Sequence, residues 1–125
     1  MLFNVNKSHI KLIRSIPHKV KFNAFMKIIS PLDYKNIEDA INERIDADIL
    51  KGSDIQTSGW IPGNDWTGTV YEAIYNVYRD RDAAGKMFGI IVWKVFMERP
   101  DNWGFGRYKV NDVPIESMTY FGITP

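Results

Sequence analysis

Two stretches of the chain set tryptophan among the small and polar residues of turns. The first is Gly59-Trp60-Ile61-Pro62-Gly63-Asn64-Asp65-Trp66, and the second is Asp101-Asn102-Trp103-Gly104-Phe105-Gly106-Arg107-Tyr108. Turns are ordinarily filled by small polar residues, so a tryptophan there either plugs the edge of a core or stands out for contact. Tryptophan and arginine are also the types most enriched at binding hot spots. The contact reading assigns Trp60, Asp65, Trp66, Trp103 and Arg107 to a binding surface. The indoles anchor, Arg107 pairs an anion, and the acid fixes orientation. Both segments flank the middle of the chain, so their loops are expected to meet on one concave surface.

Other chemistry finds little support. The two histidines, His9 and His18, lie among cations and lack the spacing and carboxylate company of metal ligands. None of the six serines sits in Gly-x-Ser-x-Gly, and no Gly-x-x-x-x-Gly-Lys-Ser/Thr loop is present. Cysteine is absent, which excludes disulfides, thiolate sites and a thiol nucleophile. The acids between Asp33 and Asp54 follow the polar face of an amphipathic helix, which accounts for them without catalysis. These readings point to no catalytic residue, no metal and no cofactor, and away from an enzyme.

Charge is segregated along the chain although the net is only +1. Residues 1–29 carry six cations and no acid, residues 30–65 sum to −5, and the rest balance. The favoured explanation is mutual neutralisation of the two segments within the fold. The rival is a nucleic-acid surface formed by Lys19, Lys21 and Lys27.

The elements that must position these residues follow from periodicity. Val20, Phe22, Ala24, Met26 and Ile28 alternate with Lys19, Lys21, Asn23, Phe25 and Lys27, which predicts a half-buried strand with a basic outer face. Ile10–Ile16 is a weaker strand signal, limited by Pro17 to an edge or a turn. Ser30-Pro31-Leu32-Asp33 reads as a helix entrance, Ile37, Ile41, Ile45 and Ile49 form its apolar stripe, and Gly52 is placed to end it. Residues 53–68 read as a loop, and Thr69-Val70-Tyr71-Glu72 as a capping box for a second helix. A third helix, ending before Pro100, is apolar nearly all round and therefore central, with Gly85 and Gly89 admitting a close neighbour. Trp103–Val110 and Val113–Phe121 predict a hairpin turning at Asn111-Asp112.

The expectation is therefore an α+β fold in one domain over residues 1–125. A small antiparallel sheet, made of the N-terminal strand or strands and the C-terminal hairpin, packs on about three helices. With 45% apolar and 25% charged residues the composition is that of a globular chain. The apolar run Met87–Met97 is far shorter than the roughly 20 residues of a membrane span, and the N-terminus lacks a signal-peptide order. A soluble, cytoplasmic protein without membrane attachment is expected. The preferred function is a small non-catalytic binding module of inhibitor or immunity type, a bacterial or phage accessory protein. It would capture a partner protein or a small anionic ligand. A nucleic-acid binder and a small enzyme acting on a nucleotide-like substrate are the alternatives, and a homo-oligomer is compatible with each.

Overall fold

The computed structural model describes residues 1–5, 9–62, 65–107, 109–110, 113–114 and 117–123, without the side chains of residues 60, 109, 110, 113 and 114. Among the described residues the chain forms strands β1 (Leu2–Val5) and β2 (Ile10–Leu12), then helices α1 (Lys19–Met26) and α2 (Pro31–Leu50). Strand β3 (Ile55–Thr57) and a 3₁₀ turn (Ser58–Trp60) lead to helices α3 (Glu72–Tyr78) and α4 (Arg81–Glu98). Strands β4 (Trp103–Gly106), β5 (Lys109–Val110), β6 (Val113–Pro114) and β7 (Thr119–Gly122) close the chain.

Five strands form one sheet in the order β2-β1-β4-β7-β3. The β1–β4 pair is parallel and the other three are antiparallel, so the sheet is mixed. This corrects the expected small antiparallel sheet on about three helices: among the described residues the main sheet is mixed and has five strands, a further two form a separate pair, and there are four α-helices. The physical reason is β1. Its four residues are too short to announce themselves, and their partner in β4 lies about a hundred residues downstream. The hairpin is present as two ladders, β4–β7 and β5–β6, while its turn at 111–112 lies outside the described residues. The expected loop 53–68 also contains the edge strand β3, which pairs with β7.

The segment from Lys19 is helical, which overturns its assignment as a basic strand. Apolar residues at 22, 25, 26 and 29 also fit a helix face, and that period wins. Phe22, Phe25 and Ile29 are buried, whereas Val20 is 84% and Ile28 67% exposed. Phe22 meets Tyr34 edge-on and Phe25 stacks on Tyr78, with centroids 6.1 and 5.9 Å apart.

Helix α2 starts as its sequence predicts. The Ser30 hydroxyl accepts from the Asp33 N–H at 3.1 Å with Pro31 at the first helical position. Ile37, Ile41 and Ile45 are fully buried, while Ile49 at the end of the stripe is 39% exposed. Gly52 takes φ +91°, and the Ser53 and Gly52 amides return to the carbonyls of Asp48 and Ile49, a Schellman ending. The predicted capping box is displaced. Thr69 Oγ1 accepts from the Tyr71 amide and the Glu72 carboxylate from Gly68, so the helix begins at Glu72.

Helix α4 is central. It packs on α2, α3 and β1 and buries Phe88, Ile91, Val92, Val95 and Phe96. Gly85 and Gly89 have open space where a Cβ would stand, so they serve no close approach, contrary to expectation. Trp103, Phe105 and Tyr120 face α4 from the sheet. Phe96 lies against Trp103 and stacks on Tyr120, and Phe105 meets Trp93. On the opposite sheet face the Phe121 ring covers Gly104 so closely that a Cβ would fall 2.5 Å from it.

Contrary to the expected neutralisation, none of the described lysines and arginines of residues 1–29 forms an ion pair with an acid of α2. The ion pairs that reach α2 from other elements come from Lys94 and Arg99, at the far end of the chain. Lys11, Arg14, Lys19, Lys21 and Lys27 remain on the surface.

Candidate functional site

Trp66 and Trp103, two of the residues singled out from the sequence, do not come together. Trp103 is 2% exposed, deep in the core against Phe96. Trp66 is half-buried against Tyr71 and Phe88. Phe88 and Phe96 are eight residues apart on α4, about 12 Å along its axis, so the two indoles sit near different turns of the helix. Asp65 is exposed, and its Oδ1 accepts from the Thr67 amide at 3.0 Å, an interaction that holds its carboxyl below the usual range. Arg107 is exposed and already engaged with neighbouring groups. The Trp60 side chain lies outside the described residues. The expectation of a common concave surface with Trp103 is corrected: Trp103 is a core residue because its indole fills the space between β4 and α4.

The lysines proposed for nucleic acid also change meaning. Successive helical residues are about 100° apart, so Lys19 and Lys21 project to nearly opposite sides of α1, and Lys27 caps its end. The shared basic face existed only for a strand.

Two concavities stand out instead. One lies on the α2–α4 seam, about 390 Å³ in volume, and is lined by Glu38, Asp46, Glu98 and Arg99 among others. Its charges are satisfied internally. Lys94 lies 2.8 Å from Glu38 and also pairs with Glu98, while Arg99 donates to Asn42, Asp46 and Asp101. The Tyr34 hydroxyl donates to Glu38; burial and then that carboxylate raise its pKa far above the normal phenol value. Burial opposes ionisation of Asp101, yet Arg99 and the Trp103 indole hold its carboxyl below the usual range. The indole N–H closes no full hydrogen bond. Among the described residues the charged groups of this seam pair with one another, a cross-brace between helices.

The other is an open groove of about 740 Å³, formed by residues 10–17 and Trp93. Strand β2 supplies its first wall and stands at the sheet edge. The chain then bends towards α1, and the indole N–H of Trp93 pins it by donating to the Ser15 carbonyl at 3.2 Å. The ring is held from below by Phe105, 4.6 Å away between centroids. Its lining mixes polar and apolar surface, with Ile13, Ile16 and Pro17 among the apolar residues, and its two ionisable residues are the cations Lys11 and Arg14. Both are exposed, and residues 1–29 contain no acid to offset them.

Trp93 belongs to a helix whose sequence is apolar nearly all round, which hides the side that emerges. The signal the sequence held was the cationic, Pro-ended apolar segment 10–17, a short edge strand that needs a neighbour.

Among the described residues no group of three His, Asp or Glu side chains is placed to hold a metal, and no helix is long and apolar enough to cross a membrane. No protein family matches the chain, and no curated protein or solved structure is similar to it.

Proposed function

We propose that the protein is a small non-catalytic binding module that captures a partner protein through an acidic segment lodged in the Trp93 groove. The observation that carries this reading is the groove's chemistry: a mixed polar and apolar lining, a pinned indole, and two cations with no acid among the lining residues. Tryptophan held by packing and a hydrogen bond offers contact area at little entropic cost, which favours its use as an anchor. Exposed cations at the rim steer an acidic partner and reject basic ones. A volume of about 740 Å³ takes a few residues of a partner segment.

Nucleic acid is the weaker reading, since Lys19, Lys21 and Lys27 share no face. Fluorescence anisotropy separates the two. A labelled glutamate- and valine-rich peptide should bind and its lysine-for-glutamate counterpart should not. The double variant Lys11→Glu, Arg14→Glu should abolish binding while leaving the circular dichroism spectrum intact. If single-stranded oligonucleotides bind with a steep salt dependence and the acidic peptide does not, the module reading is wrong.

A further inference from the structure

We infer that the partner segment enters as an added sixth strand on β2, pairing its backbone with Ile10 and Leu12 and setting an acidic side chain beside Lys11. This rests on the groove being a protein-binding site and specifies how it reads its partner.

The hydrogen-bond pattern of β1 fixes which groups of β2 are available. The Ile13 amide donates to the Leu2 carbonyl at 2.8 Å, and the Trp103 amide to the Met1 carbonyl at 2.9 Å. Leu2 and Asn4 therefore direct their main-chain groups to β2, while Met1 and Phe3 direct theirs to β4. In an antiparallel pair bonded and non-bonded positions alternate. With Asn4 opposite Lys11 and Phe3 opposite Leu12, Lys11 bonds to β1, and Ile10 and Leu12 turn their amides and carbonyls outward. Two donors and two acceptors thus line a free sheet edge directly beside the groove, the arrangement that strand addition uses.

Side-chain alternation then sets the preferred sequence. Ile10 and Leu12 point to the open face of the sheet with Phe3 and Val5, and Lys11 points to the helix side. An added strand places apolar side chains beside Ile10 and Leu12 and an acid beside Lys11, giving an apolar–acidic–apolar core. Arg14 stands further along for a second acid. A second copy of this chain is the wrong occupant. Two β2 edges paired about Lys11 would set like charges directly opposite each other, which is destabilising.

The test uses the intact chain and three capped seven-residue peptides of alternating valine and glutamate. One is unmodified, one is N-methylated at the valines and one at the glutamates. Calorimetry should show binding of the unmodified peptide, with tenfold or greater loss for one methylated form and little for the other. Loss with N-methylvaline reports antiparallel addition, and loss with N-methylglutamate reports parallel addition. In hydrogen exchange, the Ile10 and Leu12 amides should become protected only with peptides that bind. If both methylated peptides bind as well as the unmodified one, the groove reads side chains alone; strand addition is overturned and the module reading survives. If the folded protein binds none of the three, strand addition is likewise overturned, and the acidic-partner reading falls with it.

Discussion

The indole N–H of Trp93 donates to the carbonyl oxygen of Ser15, joining the middle of α4 to a segment 78 residues earlier in the chain. That bond shapes the groove, because it fixes the bend of the chain between β2 and α1 against the side of α4. Trp93→Phe keeps an aromatic ring beside Phe105 and removes the donor. Its stability should fall by about 0.5–1.5 kcal/mol, the net worth of one such bond. Binding of the valine–glutamate peptide should weaken at least fivefold. Urea denaturation and calorimetry on the same variant check both. Unchanged affinity would mean that Trp93 braces the fold and anchors nothing.

The isoleucine stripe of α2 predicts a graded cost along one helix. Ile41 is fully buried, so Ile41→Ala should destabilise by about 2–5 kcal/mol, through lost transfer energy and the cavity left behind. Ile49 is 39% exposed, and Ile49→Ala should cost no more than about 1 kcal/mol. Equal costs from denaturant titrations would show that the last turn of α2 packs differently.

The contrast between α2 and α1 shows what a sequence can reveal here. Ser30, Pro31, the isoleucines and Gly52 all favour one answer for α2, so local chemistry and packing agree. At Lys19–Ile28 two periods overlap, and only tertiary partners decide between them: Tyr34 for Phe22 and Tyr78 for Phe25. Strand β1 is legible only through β4, since parallel pairing joins distant residues and leaves no turn signature. The groove was hidden for a related reason. Trp93 belongs to an apolar helix, and which side emerges depends on where β2 and Ser15 come to lie. Trp103 differs in the other direction: its strand is legible in the sequence, but that the indole turns into the core depends on Phe96 of α4 lying against it.

Arg99 braces the α2–α4 seam, with Nη1 2.8 Å from Asn42 and Nη2 2.8 Å from Asp46 and 2.9 Å from Asp101. Arg99→Met should lower stability by roughly 1.5–3 kcal/mol near neutral pH, the range for hydrogen bonds to charged groups. The pH profile should change with it. Asp101 has a lowered pKa in the folded protein despite its burial, chiefly through Arg99, so its contribution is present above the unfolded value near about 3.9. It is lost as pH falls through the lower, folded value. The native protein should therefore lose stability on acidification below about pH 4, and the variant should show a shallower acid limb. Parallel limbs in thermal melts across that range would remove Asp101 from the account.

At the alkaline end the buried phenols take over. Burial raises the pKa of Tyr120 well above the ordinary phenol value, and burial followed by Glu38 does the same for Tyr34. A folded pKa raised above the unfolded one gives stability that is present below the unfolded value, about 10, and lost as pH climbs beyond it. Neither hydroxyl should ionise while the protein stays folded. An ultraviolet titration should show a first phase from accessible tyrosines and a second that coincides with loss of the circular dichroism signal. Tyr120→Phe keeps a ring to stack on Phe96, whose centroid lies 4.1 Å away, and removes the ionisable group. Its alkaline unfolding midpoint should move to higher pH. A single smooth phenolate titration with the fold intact would show that the hydroxyl of Tyr120 reaches solvent.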